Sequence, residues 1–411
     1  MKVLIEQGGH DFLNLGDLAM LQVTTERIRK RWPDAHMSVL TSCQSSLESH
    51  MIGMHSVTTA GRDALIIRDR LFTKVSPKLN NLDKRFWRSF PKLAEKLMMV
   101  KNHLSRRNLV EARKFSSTLK QADFVVASGG GYITDEFPGM VKGICGTIAM
   151  ANRYGKPTAM FGQGLGPLNE PYLVELAREA ISGLRVLGIR EPIYAPEVAR
   201  SLGASSDRIK VTGDDATALA FHSRREAIGD GVGFNVRVAG YSGVASAELS
   251  AIAFEMSQLS ADTKAPMIPI VISLQEQDRA QSTALLPADG NTTVIPISTP
   301  AECIGAVSMC RIVITGSYHA AVFALGQGIP VIGLAKSPYY HAKFEGLKAL
   351  YTTGMQVVDI AELKQPGSLS QQASELYKSA KDLRSLILEQ SAEIVNRSEK
   401  LYADFFDTLS Q

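Results

Sequence analysis

Apolar runs of four to six residues recur along the chain, separated by longer stretches in which apolar positions return every three or four residues. The short runs in the first half are Lys2–Glu6, Met37–Leu40, Phe124–Ala127, Thr158–Phe161, Val186–Ile189 and Ile209–Thr212. They read as strands that are buried on both faces. The stretches Leu18–Arg31, Ile144–Tyr154, Pro171–Gly183 and Pro192–Leu202 read as helices between them. Such alternation predicts a parallel sheet covered by helices on both sides.

The polar stretch "HSRREAIGDG" after Phe221 reads as a linker. A second alternating set follows, with strands predicted at Val232–Val236, Met267–Ile272, Thr293–Pro296, Ile312–Thr315 and Val331–Leu334. The chain closes on one long amphipathic helix that carries Leu369, Leu376, Leu383, Ile387, Ile394, Leu401 and Phe405 near one face. The expected organisation is α/β: a doubly wound, Rossmann-like domain over 1–222, a second over 230–366, and a terminal helix over 367–411. Two such domains facing each other suggest a cleft enzyme, because ligands of these sheets sit beyond the carboxyl ends of the strands. A length of 411 residues agrees with two cores rather than one.

Charge changes the picture in one place. Residues 62–114 hold fifteen Lys/Arg against five Asp/Glu, a local excess of ten, whereas the whole chain carries +4. This segment reads as a basic helical insertion. Within 80–107, Trp87, Phe90, Leu93, Leu97 and Met98 alternate with Lys84, Arg85, Arg88, Lys92, Lys96 and Lys101. An apolar face rimmed by lysines suits an anionic membrane surface; a helix packed on its own domain with a solvated basic rim is the plainer alternative. No base-reading module surrounds it, so nucleic acid is not an expected partner. Cys43, Cys145, Cys303 and Cys310 share no zinc-type spacing, and no apolar run reaches the ~20 residues that span a bilayer. A reducing, cytoplasmic location without a bound metal is expected, at the inner face of the plasma membrane if the basic segment docks there.

The candidate chemistry falls at the predicted strand ends. In "NLGDLAML", Gly16 permits a tight turn and Asp17 can cap the following helix, with Asn14 beside it as a ligand contact. In "FVVASGGGYITDE", Gly129, Gly130 and Gly131 remove side chains where backbone N–H groups can approach an anion. The lysine and spacing of a P-loop are absent. "MFGQGLGPL" repeats the device around Gln163. Arg190 ends the strand of "LGIREP", where its fork can grip carboxylate or phosphate. In "VTGDDATAL", Asp214 and Asp215 are candidates to cap a helix or hold a sugar hydroxyl. His319 follows Gly316 and Ser317 in the first turn of a helix, a field that favours anions and suits an acid–base imidazole. Lys336 and Lys343 follow the next strand.

Taken together, NLGDLAML, SGGGYITD, FGQGLGP, GIRE, TGDDA and HAAVFALGQGIPVIGL, in that order, resemble the polysaccharide pyruvyltransferase family over residues 3–350. The resemblance implies a glycosyltransferase-B-like arrangement in which the terminal helix crosses back to the first domain. It implies transfer of the carboxyethylidene group of phosphoenolpyruvate to two hydroxyls of a polysaccharide or lipid-linked sugar, with no metal or redox cofactor. By the same resemblance Arg190 anchors the donor, His319 is the acid–base group, and Lys343, with Lys336 as the fallback, is the late cation. One departure stands out: Ser317-Tyr318-His319 replaces the Arg-Leu-His of many members, and that arginine helps hold the donor's anionic groups. The same residues leave open a nucleotide-sugar-dependent glycosyltransferase, with Glu345 on the ribose, and a non-catalytic relative that binds glycans or membrane.

Overall fold

The computed structural model describes residues 1–66, 86, 87, 89–104, 109–236, 246–287, 291–363 and 365–409; the side chains of 101–104, 246, 247, 277–279 and 281 are not described. Its first half holds strands β1 (Lys2–Glu6), β2 (His36–Thr41), β3 (His55–Thr58), β4 (Phe124–Ala127), β5 (Gly130–Ile133), β6 (Thr158–Leu165), β7 (Val186–Ile189) and β8 (Ile209–Val211). Helices α1 (Leu15–Arg31), α2 (Gln44–His50), α3 (Thr59–Leu65), α4 (Pro91–Leu104), α5 (Leu109–Gln121), α6 (Pro138–Arg153), α7 (Pro171–Ile181), α8 (Ala195–Ser201) and α9 (Ala216–His222) connect and cover them. The sheet runs β3-β2-β1-β4-β6-β7-β8, with β5 also paired to β6, and every pairing is parallel.

The second half holds α10 (Ser246–Thr263), α11 (Glu276–Ala284), α12 (Pro300–Val307), α13 (Tyr318–Gly326) and α14 (Pro338–Lys348) around strands β9 (Gly231–Asn235), β10 (Met267–Pro269), β11 (Cys310–Thr315), β12 (Val331–Ala335) and β13 (Met355–Asp359). These strands form a parallel sheet in the order β10-β9-β11-β12-β13. In both sheets the strand order reverses beside the first strand, and the crevice at that point is where a doubly wound fold takes a ligand.

The last helix, α15 (Ser368–Asp407), is 40 residues long and so spans about 60 Å. Leu369, Ala373 and Leu376 bury against the second sheet with Val232 and Phe234. Leu401, Tyr402 and Phe405 bury against the first with Val3, Ile5 and Phe124. One amphipathic helix thereby ties the two sheets together. Its attachment is polar as well as apolar: Ser398 Oγ and Tyr402 Oη donate to Asp215, and Arg27 of α1 pairs with the same carboxylate at 3.3 Å.

The basic segment is corrected in part. Trp87 and Met98 follow the plainer alternative, a helix packed on its own domain: they are core residues in one cluster with Leu65 and Phe115 and not part of an exposed apolar face. Lys84, Arg85 and Arg88 lie outside the described residues. Phe90, Leu93, Leu97 and Val100 are exposed on α4 and the turn before it, beside exposed Lys92 and Lys96. No helix among the described residues is long and apolar enough to cross a membrane.

Candidate active site

The two halves meet at a cavity of about 200 Å³. The turn before α1 and the segment after β10 close one wall, since Leu15 N donates to Ile272 O at 2.9 Å and Leu274 N to Leu13 O at 2.8 Å. Asn14 caps α1, its Oδ1 accepting from Gly16 N at 3.0 Å and Asp17 N at 3.3 Å. The cap is therefore Asn14, not Asp17 as the sequence suggested. Asp17 is left to line the cavity with Gly8, Gly9 and Asp11. Burial pushes its carboxyl up, and the charges of His319, Arg190 and Lys343, which act the other way, do not offset that.

From the second half, Ser317 caps α13 by backbone position alone and lines the cavity with Tyr318 and His319. The His319 ring lies on the first turn of α1, where a Cβ at Gly16 would stand 2.0 Å from its Cγ. Its Nε2 is buried, makes no hydrogen bond among the described residues, and lies 3.7 Å from Asp214 Oδ2.

Arg190 is buried at the end of β7. Its Nε hydrogen points to Gly162 O at 2.9 Å, while Asp214 Oδ2 stands 2.8 Å away as an ionic partner. Burial alone would raise the Asp214 carboxyl, but Arg190 and His319 hold it below its ordinary value. Arg190 also lies over the Tyr318 ring, 5.1 Å from its centroid. Lys343 reaches the same place from α14, its Nζ 4.1 Å from the centroid of Tyr339, 5.8 Å from Tyr318 and 6.0 Å from Tyr340. Both cations converge on Gly131, where a Cβ would lie 2.8 Å from Lys343 Nζ and 3.4 Å from Arg190 Nη1. Glycine at 131 thus keeps open the space between two positive charges.

A second cavity, about 340 Å³, opens on the other side of this pair. It shares Gly131, Arg190, Tyr318, Tyr339 and Lys343 with the first, and adds apolar surface from Leu165, Pro167, Tyr194 and Val198.

Of the residues singled out from sequence, the first cavity brings together Asn14, Asp17, Gly131, Arg190, Ser317, His319 and Lys343. Six others lie elsewhere. Asp215 is spent on Ser398, Tyr402 and Arg27. Gln163 donates to Ser128 O and Phe161 O beneath the glycine loop. Lys336 pairs with Glu248 at 2.6 Å and lines neither cavity. Gly129 serves packing, since a Cβ there would meet Met20 Sδ at 2.4 Å and Gly162 O at 3.0 Å. A Cβ at Gly130 would likewise strike the Tyr132 ring at 2.0 Å. Glu345 pairs with Lys348 at 3.7 Å and lines neither cavity. Residues missed from sequence are Asp11, Ser273, Gln275, Tyr318, Tyr339 and Tyr340. The Tyr pair three and four positions before Lys343 on one helix is a spacing that signals a cation–π contact.

This architecture, two Rossmann-like sheets around a cleft with a helix crossing between them, is the glycosyltransferase-B fold. UDP-GlcNAc 2-epimerase from Neisseria meningitidis, bound to UDP-GlcNAc, shares it with a TM-score of 0.60 at 12% identity, covering 99% of this chain and 100% of that one. A putative UDP-N-acetylglucosamine 2-epimerase from Listeria monocytogenes gives 0.58 at 13% over 95% and 91%. UGT2 of Phytolacca americana, complexed with UDP-2fluoro-glucose and pterostilbene, gives 0.54 at 11% over 100% of both. No curated protein sequence matches the chain. The model of the polysaccharide pyruvyl transferase family matches residues 14–338, from the cap of α1 to the start of α14, and the chain belongs to that family.

Proposed function

We propose that this transferase moves the carboxyethylidene group of phosphoenolpyruvate onto two hydroxyls of a sugar in a polysaccharide or lipid-linked precursor. The convergence of Arg190 and Lys343 on Gly131, beside His319, carries the reading. A small dense anion needs opposed cations in a site closed to bulk water, and interactions with charged groups are worth more there than in water. The cleft supplies the two cations from separate halves of the chain. Ser317 brings no charge, and of the two lysines that could compensate for the family's arginine, Lys343 lines the cavity. Membership of the family and the anion geometry support the donor; Asp11, Asn14 and Gln275, on the polar side of the cavity, suit sugar hydroxyls. Loss of Glu345 from the site removes the group that a nucleotide-sugar reading would place on a ribose. Phosphate released from phosphoenolpyruvate only when a sugar is present, with a ketal methyl signal in the product, is the expected result; sugar transfer from a nucleotide donor instead would refute the proposal.

The acceptor is met at a membrane surface. Phe90, Leu93, Leu97 and Val100 are 57%, 48%, 40% and 57% exposed and follow one another at three- and four-residue spacing, so they form one ridge. Lys92 and Lys96 flank it. Apolar residues seated among acyl chains with lysines at the headgroups describe an interfacial helix. Flotation with vesicles containing anionic lipid, and not with zwitterionic ones, is expected for the wild type and lost in Leu93→Asp/Leu97→Asp; equal behaviour of the two proteins would remove this part of the reading.

A further inference from the structure

Ketal formation has to move protons at two centres: one proton goes onto the donor's methylene, and others come off the attacking hydroxyls. His319 accounts for one centre. The inference that follows rests on the reading above.

We propose that Asp17 is a second catalytic residue, the acid that protonates the methylene carbon of the donor. The side chain is placed for this by its neighbours. Asn14 performs the capping that an aspartate at this position often shares, so the Asp17 carboxyl is not needed for the turn. Gly8 and Gly9 pass over it without side chains: a Cβ at Gly9 would be 2.9 Å from Asp17 Cβ and 3.5 Å from Oδ2, and one at Gly8 would be 3.8 Å from Cγ. The charged groups that face it come from four elements: His319 on α13, Arg190 after β7, Lys343 on α14 and Asp214 after β8. Three of these also line the cavity with Asp17, so a donor held by Arg190 and Lys343 lies beside the carboxyl.

Burial already favours the neutral acid. A bound trianion favours it further, since a like charge nearby opposes ionisation. The donor thus loads its own proton source.

The steps balance around the two residues. Asp17 gives its proton to the methylene carbon, the carbon–carbon double bond becomes a methyl-bearing single bond, and the adjacent carbon turns electrophilic. The first hydroxyl adds there, forming a carbon–oxygen bond and passing its proton to His319. The carbon–oxygen bond to phosphate then breaks, and His319 returns that proton to the leaving phosphate. The second hydroxyl adds and passes its proton to the Asp17 carboxylate. One methyl, two ketal bonds and hydrogen phosphate result, and both residues regain their starting states.

The test uses the full-length protein, phosphoenolpyruvate and a panel of methyl hexopyranosides, read by phosphate release across pH. Asp17→Asn, nearly the same size and unable to donate, is expected to lower kcat by about 10²- to 10⁴-fold while phosphoenolpyruvate still raises the melting midpoint. Wild-type activity falls at high pH as the acid form is lost, and Asp17→Asn lacks that limb. Asp17→Glu, which keeps the carboxyl on a longer arm, retains the limb at a reduced rate; this variant serves if the amide does not fold. A purely structural Asp17 would lower stability and leave the pH profile unchanged. Turnover by Asp17→Asn within tenfold of wild type, or an unchanged high-pH limb, overturns the assignment alone. Wild-type protein that neither gains stability from phosphoenolpyruvate nor releases phosphate overturns the functional reading, and the inference with it.

Discussion

Gly16 and His319 occupy one space: the imidazole Cγ stands 2.0 Å from where a side chain at residue 16 would begin. The contact joins the first turn of α1 to the first turn of α13, and so couples the halves of the cleft at the imidazole proposed as the acid–base group. Gly16→Ala would force the ring aside or part the two turns. Such overpacking costs about 1–3 kcal/mol of stability, and a misplaced imidazole loses about 10²-fold in kcat. Denaturation and turnover measured on the same preparation should therefore show a modest loss in the first and a large one in the second.

The two lysines considered for the late cation should separate cleanly. Lys343→Met removes a charge that faces Gly131, and a lost charged contact of about 1.5–3 kcal/mol weakens donor binding by about 10- to 150-fold. Lys336→Met breaks a partly exposed pair with Glu248 and should leave donor affinity within about threefold. Isothermal titration with phosphoenolpyruvate measures both.

Asp215 is expected to act on folding rather than on the reaction. Its carboxylate holds Arg27, Ser398 and Tyr402, joining α1 to α15. Asp215→Ala leaves Arg27 without its ionic partner, and breaking a buried pair in this way costs about 3–5 kcal/mol. Urea unfolding should register that loss, while phosphoenolpyruvate still stabilises whatever fraction is folded.

Acid sensitivity should trace to Glu6. Burial alone would raise this carboxyl, but Arg62, His10 and Thr147 outweigh it and hold it at about 2, against an ordinary 4.5. A depressed carboxyl contributes stability that is complete above its unfolded value and is lost as pH falls toward the folded one. Between about pH 5 and pH 2 the wild type should therefore lose stability steeply. Glu6→Gln, less stable at neutral pH, should lose less over the same interval in pH-dependent unfolding.

Much of the fold was legible because strands buried on both faces read as plain runs of Val, Ile, Leu and Phe. β1, β4 and β7 have the predicted limits. Strands outside that pattern were missed: β3 is a polar edge strand, β5 opens on two glycines, and β13 lies at the far edge of the second sheet. Thr293–Pro296 was predicted as a strand but forms none; the nearby Thr292 makes one isolated bridge to Met267.

The site was legible to the extent that its chemistry is local. A histidine in the first turn of a helix and an arginine at a strand end declare themselves by position. The use of Asp215 does not, because its partners Ser398 and Tyr402 lie 183 and 187 residues away. The wall formed by Ile272–Gln275, and the tyrosines around Lys343, likewise depend on how the two sheets face each other.

On the proposed reading, the Arg190–Lys343 cleft is built for phosphoenolpyruvate. A thermal titration with phosphoenolpyruvate, run beside uridine and guanosine diphosphates, tests it most directly, since a ligand that binds the folded state raises the melting midpoint with the logarithm of its excess over Kd. A rise with phosphoenolpyruvate alone is expected, shifted in Lys343→Met to about 10- to 150-fold higher concentration. A rise with a nucleotide diphosphate and none with phosphoenolpyruvate would contradict it.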